Sequence, residues 1–376
     1  MPERPKGIME LFDTRVAVFG APGRYIQGRG AIHLVGDCAA TIGARAVLVV
    51  DAQIRHLVAG LIGESCKLAS VEITVLPFEG ELTRQTGADL RRLLTADPTL
   101  VIAAGGGRAI DAGKALASLS DCGLITVPTV ASNDAPTSKN FVLYDERHRL
   151  VEVGHLLRNP DFVVVDTELL ISAPKNLFRA GLGDALAKKF EADACMARGG
   201  TTMFMARPTR LAQAIASHCY DTLISAAPGA WRSLDAKTVT EDFDAAVEAM
   251  ILMAGLGFES GGLSLPHAMT RGIPVLPGAD VVAHGLQVAW ALMVHFEVLG
   301  VEPPSELVEL YRLTGLPLSL ADLGLSEQTD EALAELAEAT VGARHVHNLP
   351  FSLQPSALTA AIRRVEERET NRRKSA

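Results

Sequence analysis

The 376-residue sequence has no apolar run approaching the ~18 residues needed to cross a bilayer. Its opening residues, "MPERPKGIMELFD", lack the apolar core of a secretion signal. These two absences predict a cytoplasmic chain with no membrane partner. The five cysteines (Cys38, Cys66, Cys122, Cys195, Cys219) are odd in number, scattered and without a C-x-x-C pair, which argues against a disulfide framework and a thiolate zinc site. Basic residues are not clustered and the net charge is -9, so a phosphate backbone has nothing to grip and nucleic acid is not an expected partner. The basic C-terminal "RRVEERETNRRKSA" reads as a solvated helix end. There is no internal repeat.

What is present is a change of pattern. "RAVLVVD" (45–51), "VEITVLPF" (71–78), "TLVIAAGGG" (99–107), "GLITVPT" (123–129) and "DFVVVDT" (161–167) are near-continuous apolar runs, as strands buried on both faces require. Helix-like segments such as "IRHLVAGLIGESC" and "AIDAGKALASLS" separate them. Strand alternating with helix predicts a parallel sheet covered on both faces. After about residue 173 the strand signals stop, and alanine- and leucine-rich segments of 3.6-residue period take over. The reading is a two-domain chain: an α/β Rossmann-like parallel-sheet domain over 1–172 and an all-α domain over 173–376. "AAPGAWRSLDAKT" and "RGGTTMFMARPT" read as irregular surface.

Two features of the first half suit a dinucleotide. Gly105, Gly106 and Gly107 lie between a strand and a helix, where small residues let a backbone approach a diphosphate and the helix start offers unpaired N–H groups. A tight turn without a ligand would use the same glycines. Asp51 ends its strand, where a carboxylate accepts from ribose hydroxyls and repels a 2′-phosphate, favouring NAD over NADP. No G-x-G-x-x-G opens the first βαβ unit, so this is not an ordinary Rossmann domain.

In the second half, His267 ("SLPHAM") and His284 ("VVAHGL") each fit a hydrogen-bonded histidine as well as a ligand. Asp184, in the apolar "AGLGDALAKKFEAD", adds a carboxylate. One carboxylate and two imidazoles with open positions are how a catalytic divalent metal is held.

The motifs "GGGRAIDAGKALA", "VPTVASNDAPTS", "RNPDFVVVDTELLISAP", "AGLGDALAKKFEA", "GLGFESGGLSLPHAM", "AHGLQVAWA" and "HNLPF" occur in this order over nearly the whole chain. In them the sequence resembles the iron-containing (group III) alcohol dehydrogenases, in particular their glycerol dehydrogenase branch. The resemblance implies a zinc ion on Asp184, His267 and His284. Iron-dependent relatives carry a further histidine one turn after the aspartate; Lys188 stands there, which favours zinc over iron. It also implies a diphosphate turn at Gly106, Gly107 and Arg108 with Asp111 behind it. Thr129, Ser132, Ser138 and Tyr144 would line the phosphates and nicotinamide of NAD, and Asp134, which equally suits a turn, would touch the substrate hydroxyls. His155, His218 and His295 match no ligand motif.

The implied activity is NAD-linked interconversion of a small alcohol or polyol with its carbonyl form, glycerol to dihydroxyacetone being the family example, in a homo-oligomer of two to eight chains. Three departures bear on the substrate. "HAMTRG" puts Thr270 and Arg271 where glycerol-acting relatives have histidine and asparagine, Leu286 replaces a glutamate after the second metal histidine, and Lys139 and Asn140 stand where small or apolar residues are usual. Arg271, one turn beyond His267, could grip a substrate carboxylate, which makes a 2-hydroxy or 2-oxo acid the alternative substrate; a surface ion pair is its plain reading. A dehydroquinate synthase-like lyase and a non-catalytic NAD-binding relative are the rival readings.

Overall fold

The computed structural model describes residues 12–145, 150–325 and 328–375; residues 1–11, most of the stretch read for a signal core, lie outside them. The chain divides into two compact units. One comprises Gly20–Pro174 with Ser233–Gly255, the other Lys175–Arg232 and Leu256–Ala376 with the segment ending at Phe19.

In chain order the first unit contains β1 (Arg24–Gly28), α1 (Val35–Ala40), β2 (Arg45–Asp51), α2 (Arg55–Leu68), β3 (Glu72–Phe78), α3 (Thr86–Arg92), β4 (Leu100–Gly105), α4 (Gly107–Ser120), β5 (Gly123–Pro128), β6 (Asn140–Tyr144), β7 (Leu150–His155), β8 (Phe162–Asp166) and α5 (Thr167–Ile171). Six strands form one parallel sheet in the order β1-β8-β5-β4-β2-β3, and β6 pairs antiparallel with β7. The apolar runs form because the sheet is covered twice. Leu48, Val50, Leu100 and Ile102 pack against Val35, Val58 and Ile62 of α1 and α2. Their neighbours Val47, Val49, Val101 and Ala103 pack with Leu90, Ile110 and Leu116 of α3 and α4. Each such side chain contributes about 1.5–3 kcal/mol by leaving water. The strand order reverses between β2 and β4, because β3 was added on one side of β2 and every later strand of this sheet on the other.

The remaining helices are α6 (Lys175–Arg198), α7 (Arg210–Ala236), α8 (Glu241–Glu248), α9 (Ala254–Gly261), α10 (Leu265–Gly272), α11 (His284–Leu299), α12 (Ser305–Thr314), α13 (Asp330–Val341) and α14 (Pro355–Ser375). α11 is apolar all round and buried, and packs against α6, α10 and α14. Among the described residues no single helix is long and apolar enough to cross a membrane.

Two expectations need correction. The single boundary after residue 172 lies beside the one observed after Pro174, but two segments fall on the other side of it. Backbone pairing of Arg207 N with Val16 O ties the N-terminal segment to the helical unit. Gln27 and Arg29 donate to the carbonyls of Asp244 and Val239, and Thr137 Oγ1 to that of Ile251, which hold Ser233–Gly255 to the sheet unit. The stretch 226–238 is not irregular: α7 runs through Pro228 to Ala236, because burial of Ala226, Ala227, Ala230 and Leu234 outweighs the missing N–H. His284 is the first residue of α11, after a short 3-10 turn at Ala279–Val281.

Candidate metal site and dinucleotide turn

The metal candidates converge because two glycines allow two helices to touch. A Cβ on Gly285 would stand 1.9 Å from the Ala180 carbonyl oxygen, and one on Gly183 2.5 Å from that of Gly285. This backbone contact between α6 and α11 sets Asp184 and His284, the residues beside those glycines, next to each other. His267 enters from the first turn of α10, where Pro266 suits a position that needs no N–H. One ligand atom from each of Asp184, His267 and His284 lies within 4.8 Å of the others. His267 Nε2 is 3.1 Å and His284 Nε2 3.9 Å from Asp184 Oδ1.

Two further side chains on α6 complete the cluster. Asp184, Lys188 and Glu191 recur at i, i+4 and i+7, so they share a helix face. Glu191 Oε2 lies 2.6 Å from His267 Nδ1, and its Oε1 accepts from the backbone N–H groups of Ser264 (2.9 Å) and His267 (3.1 Å). A carboxylate behind Nδ1 keeps that nitrogen protonated and leaves Nε2 as the donor atom. Lys188 Nζ lies 2.9 Å from both Asp184 Oδ1 and His267 Nε2.

The charges respond as these distances require. Burial opposes ionisation of Asp184, but Lys188 and His267 hold its carboxyl far below the usual range. Glu191 is lowered to about 2, burial being outweighed by His267. Burial also opposes a proton on His267; Glu191 overcomes it and pushes the group up to about 9. His284 moves the other way through partial burial. Its side chain keeps 48% of its surface open to solvent.

This donor set fits a divalent cation: one carboxylate, one imidazole with its tautomer fixed from behind, and a second imidazole facing solvent. Lys188 competes for the same donors, so an arriving ion must displace its ammonium. Of the other histidines, His155 bonds Asn140 Oδ1 at 2.6 Å, and buried His295, lowered to about 4 by burial, has neither ring nitrogen hydrogen-bonded.

In the sheet unit, Asp51 and the glycine turn sit at the carboxyl ends of β2 and β4, the two strands where the order reverses. The position for a Cβ on Gly105 is 3.0 Å from the Cβ of Asp51. Open α/β sheets bind ligands at such a point. Gly106 caps α4 without any side-chain bond, leaving the first N–H groups of the helix to a ligand. Thr129 follows β5, its N–H bonded to the Gly105 carbonyl. Arg108 pairs with Glu81 at 3.0 Å, and Tyr144, raised to about 12 by burial and nearby carboxylates, lies in their field. Asp111 accepts from Val142 N, while Ser132 is half-buried and Asp134 and Ser138 are buried.

Sequence reasoning passed over Lys114. Fully buried, it donates to the carbonyls of Ala135 (2.6 Å) and Asn140 (2.5 Å) and reaches Ser138 Oγ at 3.4 Å, pinning the segment that carries Asp134 and Ser138. A lone lysine within "DAGKALA" was its signal. Glu191 had one too, standing seven residues after Asp184 inside an apolar stretch.

Residues 22–167 match the family model for iron-containing alcohol dehydrogenase. The chain is 36% identical to a glycerol dehydrogenase of Thermotoga maritima over 88% of its own length and 91% of that protein's. It is 32% identical to a glycolaldehyde reductase of Halobacterium salinarum, covering 93% and 97%. The solved glycerol dehydrogenase of Schizosaccharomyces pombe superposes with a TM-score of 0.90 at 30% identity, over 96% of this chain and 93% of that one. Sheet order, donor set and full-length likeness agree, and the chain belongs to the iron-containing alcohol dehydrogenase family.

Proposed function

We propose that the chain is an NAD-linked, metal-dependent oxidoreductase that interconverts a small polyol or other hydroxy compound with its carbonyl form. The observation that carries this reading is the meeting of Asp184, His267 and His284 with Glu191 behind His267. A divalent ion held there would act as a Lewis acid on the substrate oxygen, lowering the pKa of the hydroxyl. NAD held at the start of α4 would supply the hydride acceptor, and the hydroxyl proton would pass to solvent, so that one CH–OH and one NAD+ would give one C=O, one NADH and one H+. Zinc is favoured over iron because Lys188 holds the position of a fourth, histidine ligand, and NAD over NADP because Asp51 would face a 2′-phosphate.

The protein's own part is orientation. Glu191 keeps Nδ1 of His267 protonated and so aims Nε2 inward. The N-terminus of α4 receives the diphosphate, and Lys114 holds the Asp134 segment on which the substrate hydroxyls would be read. NAD reduction by zinc-loaded protein with glycerol and 1,2-propanediol, and NADH oxidation with glycolaldehyde, test the reading. Turnover that is lost in Asp184→Asn supports it; no turnover of any of them by protein with bound zinc and NAD would reject it.

A further inference from the structure

Around the donor set most charges are matched. Lys188 meets Asp184, and His267 meets Glu191. Two guanidinium groups of the same unit are left over. Arg271 lies one turn after His267 on α10, which continues through Gly272, and makes no hydrogen bond or ion pair among the described residues. Arg344 opens the 3-10 turn Arg344–Asn348, which packs on α10. Its guanidinium meets only the sulfur atoms of Met205 (2.7 Å) and Met203 (3.3 Å), thioethers that accept weakly. Burial, and then the charge of Arg271, lower the proton affinity of Arg344. His345 beside them is lowered to about 3 by burial and by Arg344, His267 and Arg271, which keeps it neutral and adds no counter-charge.

Arg271 is exposed and Arg344 half-buried; a half-buried cation is costly without an anion, and arginine's planar fork matches an oxyanion. The end of α10 explains the sign of Arg271 through the helix dipole but not the position of Arg344. Residues four apart on a helix stand about 6 Å apart, the span of a two- or three-carbon compound running from His267 to Arg271.

We propose that Arg271 and Arg344 form a seat for an oxyanion carried by the substrate, so that the preferred substrate is a small hydroxy or oxo compound bearing a carboxylate or phosphate. This rests on the oxidoreductase reading and narrows it: an uncharged polyol leaves both guanidinium groups without a partner.

Two matched pairs test it. Hydroxypyruvate against dihydroxyacetone reads the carboxylate, and dihydroxyacetone phosphate against dihydroxyacetone reads the phosphate. In NADH oxidation by zinc-loaded protein, the ratio of kcat/KM for the preferred anion over dihydroxyacetone should fall about 10- to 100-fold in Arg271→Gln and in Arg344→Gln, mostly through KM, and further in the double variant. Arg344→Lys, which keeps the charge, should recover part of the loss. A ratio within twofold of the parent in the double variant would overturn the proposal. Calorimetric titration with the same two anions, without NADH, reads the seat independently of turnover. Binding to the parent that vanishes in the double variant supports it even if no substrate is turned over, an outcome that would reject the oxidoreductase reading alone. Failure of the parent to bind either anion would overturn the seat.

Discussion

Lys188 follows Asp184 by one helical turn, and its ammonium lies in hydrogen-bond contact with the carboxylate that the metal also needs. Both groups are buried, so in the metal-free protein each neutralises the other. Lys188→Met should have opposite effects in the two states. Without metal, Asp184 loses its main counter-charge, and denaturant unfolding should show a loss of about 3–5 kcal/mol. With metal present the competitor is gone, so zinc affinity should rise, by roughly tenfold or more, in competition with a fluorescent chelator. An unchanged unfolding midpoint together with unchanged affinity would contradict this arrangement.

The proton on His267 links metal binding to pH. In the metal-free protein the group is raised to about 9 from an ordinary value of 6.5. Its contribution to stability is therefore complete below about pH 6.5 and is lost as pH rises through 9. A metal ion takes Nε2 only after that proton leaves. Zinc affinity should climb between pH 6.5 and 9, with close to one proton released per ion at pH 7. Calorimetry in buffers of different ionisation enthalpy measures the release, and none at pH 7 would refute the assignment.

Glu191→Gln separates charge from shape. The amide still accepts from the N–H groups of Ser264 and His267, so the start of α10 keeps its cap, but the anion behind Nδ1 is gone. Metal affinity should fall about 10- to 100-fold. The slope of affinity between pH 6.5 and 9 should flatten as His267 loses its raised proton affinity. A variant with the parent's pH slope would show that Glu191 does not set the protonation of His267.

Adjacent glycines in the turn after β4 should respond differently to a methyl group. Gly105 has φ +147 and would put its Cβ 2.7 Å from that of Ala109, so Gly105→Ala should lower stability by about 1–3 kcal/mol. Gly106 has φ -78, and its Cβ would meet only Val130 Cγ2 at an ordinary 3.5 Å. Gly106→Ala should keep the parent's Tm within a degree or two and lose NADH affinity, read by nucleotide fluorescence, because only the ligand needs that space. Equal NADH affinity would remove Gly106 from the binding turn.

Much of this was legible because burial writes itself into sequence. Parallel strands β2, β4, β5 and β8 stand out as apolar runs since both their faces are covered, while edge strand β3 is exposed at alternate residues. β1, "RYIQG", and β7, "LVEVGH", are partly exposed, and period two is weak over five or six residues with glycine among them. The end of α7 was hidden by Pro228, a local signal overruled by packing. Asp184, His267 and His284 were found through motifs, yet spacing could not reveal that Gly183 and Gly285 bring two of them together. Arg344 carried no signal at all: it lies in irregular chain, and its position depends on α10 lying beside it.

Glu191 holds three things with one carboxylate: the backbone N–H groups that begin α10, the orientation of His267, and the join between α6 and α10. The helical unit therefore acquires its donor set in the act of packing, and only the Lys188 ammonium has to move when an ion arrives. Cutting Glu191 back to alanine should therefore cost folding yield and metal binding together, whereas Glu191→Gln costs metal binding alone, so abundance separates the two lesions.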